Sequence, residues 1–122
     1  MAVHRDETHF QIIDPNAKHY LVLDALNGTT QNSACRDVNG KHVRLNNQNN
    51  KGFLGYGSEL KDKSIIVKSN LENNSPNVQV DDEDQITCRY SIQDSNGNTL
   101  VYTYDKAESD DDYPTVKLII RF

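Results

Sequence analysis

The sequence predicts an all-β chain, an antiparallel β-sandwich of jelly-roll or Greek-key type with about eight to ten strands. Three observations carry that reading. Apolar and polar residues alternate most clearly over residues 85–93 and 115–122, and this two-residue period puts one set of side chains on each side of an extended chain. Three Asn-Gly pairs, Asn27-Gly28, Asn39-Gly40 and Asn96-Gly97, punctuate such segments, and each supplies the positive φ angles of a tight hairpin turn. The hydrophobic share is only 35%, too thin for strands covered on both sides by helices but enough for two small sheets that face each other. At 122 residues the chain is expected to form one domain over residues 1–122.

Taken in order, residues 10–13 and 19–25 read as strands joined by Asp14-Pro15-Asn16, where proline presets φ and the flanking Asp and Asn can bond their own backbone. His4 and His9 precede them in an end expected to be mobile. Residues 34–38 and 41–45 form the arms of a hairpin on Asn39-Gly40. The stretch 46–52 is almost wholly polar and reads as an exposed loop. Phe53-Leu54-Gly55-Tyr56-Gly57 reads as an irregular crossing whose aromatics anchor to the core, with a stacking surface for a ligand as the other reading. Residues 58–63 allow one helical turn, and 64–68 form a short buried strand through Ile65, Ile66 and Val67. A loop over 70–77 then leads to a short strand over 78–80.

The last third is the clearest. Ile86, Cys88, Tyr90 and Ile92 mark one face of a strand, the chain turns at Asn96-Gly97, and Leu100, Tyr102 and Tyr104 mark one face of the return strand. In the final segment Val116, Leu118, Ile120 and Phe122 point one way while Ile119 points the other, which predicts a central strand partly covered on its second face. Phe122, in phase with the apolar set, is expected to hold that end against the core.

A net charge of −5 and a pI of about 5.2 repel phosphate backbones, which argues against nucleic acid as a partner. No stretch reaches the length of about 18 apolar residues that a membrane helix needs, and residues 1–7 lack the pattern of a secretory signal. The chain is therefore expected in the cytoplasm, or outside the cell by a route that uses no classical signal. Cys35 and Cys88 stand in no metal or redox spacing and read as buried free thiols, with a bridge across the sandwich as the other reading.

Nothing in the sequence assembles a catalytic group. There is no Gly-x-Ser-x-Gly elbow, no catalytic cysteine signature, no phosphate-cradling glycine loop and no His-x-x-x-His. Two acidic clusters stand out instead: Asp81, Asp82, Glu83 and Asp84, and Glu108 with Asp110, Asp111 and Asp112. Calcium wants six to eight oxygens, and Asp81, Asp82, Asp84, Asp110, Asp111 and Asp112 are its candidate ligands, with calcium the candidate cofactor. Glu108 and Tyr113 are the candidate ligand contacts beside them. The plainer reading of both clusters is a solvated loop that protects a strand edge. Neither has the spacing of an EF-hand.

The twelve residues from Ser109 to Ile120, Ser-Asp-Asp-Asp-Tyr-Pro-Thr-Val-Lys-Leu-Ile-Ile, resemble the calcium loop and last strand of the small bacterial calcium-mediated fucose and mannose lectins. In that family an Asn-Asp pair follows the tyrosine; here Pro114-Thr115 replaces it and removes two ligands. By this resemblance Asp110 and Asp112 are the remaining ligands. The expected function is a non-enzymatic, lectin-like carbohydrate-binding module, in which one or two of the tyrosines stack on a sugar. The alternative is a self-assembling or target-binding interaction protein such as a toxin component, whose sheet edges pair with copies of itself as a homo-oligomer or with a protein surface.

Overall fold

Burial alternates residue by residue along most strands of the computed structural model, which describes residues 3–73, 85–107 and 114–122. In chain order the elements are β1 (Val3–His9), β2 (Lys18–Leu26), β3 (Thr29–Arg36), β4 (Lys51–Tyr56), α1 (Gly57–Leu60), β5 (Ser64–Asn73), β6 (Gln85–Asp94), β7 (Thr99–Ala107) and β8 (Thr115–Arg121). They form two four-stranded sheets, ordered β1-β8-β5-β3 and β4-β2-β6-β7. Ile65, Val67, Val116, Leu118 and Ile120 of the first sheet share one core cluster with Leu21, Leu23, Ile86, Cys88 and Ile92 of the second. Each such side chain contributes about 1.5–3 kcal/mol by leaving water, so this shared face is what holds the two layers together. Among the described residues no helix is long and apolar enough to cross a membrane.

The segments that alternate most cleanly fold as predicted. Residues 85–94 and 99–107 pair as the β6–β7 hairpin, and β8 is central, between β1 and β5. Phe122 is buried, and its amide donates to the Lys63 carbonyl. Residues 64–68 begin a strand that runs on to Asn73, so the predicted loop over 70–77 starts later than its polarity suggested; the strand predicted over 78–80 lies outside the described residues.

The sheet is not wholly antiparallel. β1 pairs with β8 in parallel, from Val3 opposite Thr115 to His9 opposite Arg121. This strand occupies the end expected to be mobile, whereas residues 10–13 form no strand. It escapes the alternation test because it is an edge whose side chains are mostly exposed. Backbone pairing and the 2.9 Å Arg121–Glu7 ion pair hold it.

Two of the three Asn-Gly turns do not make the predicted hairpins. Asn27 and Gly28 do take positive φ, 56° and 74°, yet β2 and β3 belong to different sheets. Both edges of β2 are occupied, by β4 and β6, so β3 crosses over and pairs with β5. At Asn39-Gly40 the return arm makes one bridge, Arg36 to His42, and no strand. The predicted crossing at 53–57 is in fact edge strand β4, followed by the single turn α1.

Candidate functional site

Every residue singled out in the sequence as a ligand or contact, Asp81, Asp82, Asp84, Glu108, Asp110, Asp111, Asp112 and Tyr113, lies outside the described residues. Their described anchors share one end of the molecule. Gln85 pairs with Ala107, Asn70 with Thr115, and Thr29, the partner of Asn73, accepts the Thr87 amide across the sandwich. Among the described residues no group of three or more His, Cys, Asp or Glu gathers as a metal site.

The described surface that stands out is the outer face of the second sheet. In β2 the buried residues His19, Leu21 and Leu23 alternate with outward Lys18, Tyr20 and Val22. Opposite them on β4 stand Tyr56, Phe53 and Lys51, paired with Lys18, Tyr20 and Val22 in that order. Gln93 and Ser91 of β6 continue the rows opposite Tyr20 and Val22, followed by Thr99 and Val101 of β7. The result is a strip of aromatic rings with amide and hydroxyl groups beside it.

Phe53 and Tyr56 are three residues apart, and plain alternation would send them to opposite faces. A bulge brings them together. The register shifts between His19 and Tyr20, whose partners are Gly55 and Phe53, so Leu54 is an extra residue and both Leu54 and Gly55 turn inward. Gly55 sits at φ 141°, a conformation open to glycine and strained for other residues. The ring centroids of Tyr20 and Phe53 are 5.7 Å apart with planes tilted by 59°; those of Phe53 and Tyr56 are 5.9 Å apart at 80°. Phe53 is 48% and Tyr56 42% exposed, which departs from the prediction that these aromatics anchor in the core and leaves both rings open to solvent. The Tyr56 amide donates to Glu59 Oε1 at 2.9 Å, fixing the backbone that carries the third ring.

Lys51 links this strip to a hollow. Its Nζ lies 4.4 Å from the Tyr20 ring centroid, within cation–π range. It also lines an open cavity of about 500 Å³ with Arg44, Leu45, Asn46 and Asn47. The Asn-rich stretch is wound into a turn by its own side chains: Asn46 Oδ1 accepts the Gln48 amide at 2.7 Å and Asn49 Oδ1 the Lys51 amide at 3.2 Å. Gly52 lets residues 43–45 press against β4, since a Cβ there would meet Val43 Cγ1 at 2.7 Å and Leu45 Cδ2 at 2.8 Å. Among the described residues the only ion pair is Arg121–Glu7, so neither Arg44 nor Lys51 is neutralised by a carboxylate there.

Two other polar groups serve the fold. Tyr102 donates to Asp6 Oδ2 at 2.8 Å, so the His4 Nε2 only 3.0 Å away must donate to the phenol oxygen, and this chain ties β1 of one sheet to β7 of the other. The Glu7 amide and then the Tyr102 hydroxyl hold the Asp6 carboxyl below its ordinary range; burial and Asp6 push the Tyr102 phenol up. Cys35 and Cys88 are free and buried. Burial pushes their thiols up to about 12 and about 11, which keeps both protonated and unreactive at neutral pH.

No family model, curated protein or solved structure matches the chain.

Proposed function

We propose that the chain is a lectin-like, non-enzymatic carbohydrate-binding sandwich that holds sugar on the outer face of β2 and β4. The observation that carries this reading is the ring cluster of half-buried Tyr20 with exposed Phe53 and Tyr56. A pyranose presents C–H groups on its faces and hydroxyls on its rim, so a ring face beside amides and hydroxyls fits it. Gln93, Ser91 and Thr99 supply such groups in the adjoining rows. The tilts of 59° and 80° between rings prevent a single flat platform. A short soluble oligosaccharide, one sugar to a ring, therefore suits the surface better than a crystalline polysaccharide.

Calcium belongs to the same proposal at the other end of the sheet. The acidic composition of residues 81–84 and 108–112 and the shared end of their anchors support it. The connections that pass from sheet to sheet support reading the topology as Greek-key-like.

Calorimetry with a panel of neutral and acidic pyranose oligosaccharides, run with calcium and with chelator, tests the reading. Binding by the parent and a loss of about two- to tenfold in Phe53→Ala are expected, in line with the usual worth of an aromatic contact. Flat heats throughout the panel, or unchanged affinity in a Phe53→Ala, Tyr56→Ala double variant, would sink it. Binding that is the same with chelator would remove calcium and leave the ring surface standing.

A further inference from the structure

We infer that the sugar is anionic, with its ring on Tyr20 and Phe53 and its acid group in the Arg44–Lys51 cavity. This rests on the carbohydrate reading and narrows its ligand class. Arg44 and Lys51 line one hollow of about 500 Å³ whose lining, completed by Leu45, Asn46 and Asn47, holds no carboxylate. Two like charges in one concavity repel each other unless an anion enters.

The hollow and the rings are joined at one residue. Lys51 Nζ sits over Tyr20 at 4.4 Å while Lys51 also lines the cavity, so a carboxylate or sulfate on the stacked sugar would reach the ammonium without displacing the ring. Arg44 offers a planar fork suited to two oxygens of one acid group. Asn47, also on the lining, adds an amide. A neutral sugar would use the rings and leave both cations unpaired. The overall charge of −5 works against long polyanions at a distance, which favours a short acidic oligosaccharide held by contact and weakened by salt.

The test compares three trisaccharides of the same backbone: one with uronic acid carboxylates, one with sulfate esters and one neutral. At least one acidic form is expected to bind about tenfold tighter than the neutral one, as charge-assisted contacts allow, and the tighter of the two identifies the acid group. In an Arg44→Gln, Lys51→Gln double variant that preference should fall to about one, and Lys51→Arg should keep most of it. Equal binding of acidic and neutral sugars by the parent would overturn the inference and leave the carbohydrate reading intact. Preference that survives the double variant, with its melting curve unchanged, would overturn it too. Failure of all three sugars would remove both.

Discussion

Asp94 closes the β6–β7 hairpin with its side chain. Oδ1 accepts the amides of Asn96 and Asn98, each at 2.9 Å, and Oδ2 accepts Asn98 Nδ2 at 2.8 Å. Replacing Asp94 with alanine should cost about 2 kcal/mol, because two amides lose their acceptor and one charge-assisted bond goes with them; a denaturant melt reads it. Burial pushes this carboxyl up, but the donors of Asn98 and Asn96 outweigh it, and the group ends below its ordinary value of 3.8. Its folded value is thus lower than its unfolded one. The stability it contributes is complete above about pH 4 and is lost as the pH falls through the folded value, so parent and Asp94→Ala should converge in stability on acidification. Tyr90 is the opposite case. Its hydroxyl is buried and makes no hydrogen bond of full geometry among the described residues, although Ser69 and Cys88 stand close enough to act on it. Removing an unsatisfied group is nearly free or favourable, so Tyr90→Phe should melt within about 0.5 kcal/mol of the parent or above it, and a loss of 1 kcal/mol or more would show that the hydroxyl is bonded.

Elements were legible where side chains obey one period and opaque where the backbone breaks it. Ile86, Cys88, Tyr90 and Ile92 all lie buried as alternation required, because both β6 and its core-facing side are regular. Phe53 and Tyr56 failed the same rule because one inserted residue reverses the phase, and in sequence a bulge is only a glycine inside an apolar run. β1 was missed because an edge strand needs backbone partners more than buried side chains. Asn27-Gly28 announced a turn but not its destination, since whether β3 can pair with β2 depends on β4 and β6, distant in sequence. The acidic candidate site lies outside the described residues, and the ring surface was only one of two readings. Gly57 offers a test of the junction that carries β4 into α1. A Cβ there would stand 2.5 Å from the Asp14 carbonyl oxygen and 2.9 Å from Pro15 Cα, backbone atoms held by the Gly57 amide on Ala17 and the Ser58 amide on Pro15. Gly57→Ala should therefore destabilise by about 2–3 kcal/mol in thermal melts, as overpacking does where neighbours cannot retreat.

Across the whole molecule the two sheets have one core between them and few ways to open separately. Five connections carry the chain from one sheet to the other among β1 to β6, and β6 to β7 alone stays within a sheet. Pulling either layer away would expose the residues that both bury, so opening should be a single cooperative event. The thiols report on each layer: Cys35 lies in β3 of the first sheet and Cys88 in β6 of the second, at 1% and 0% exposure. Held protonated and out of solvent, neither should react with a soluble thiol reagent at neutral pH until the sandwich opens. Cys35→Ala and Cys88→Ala variants, each with one remaining thiol, should label at rates that match once corrected for their stabilities, and both rates should rise together with denaturant. Faster labelling of Cys35 alone would mean that β3, the edge strand beside β5, detaches before the core is breached, and the sandwich would then unfold from that edge in steps.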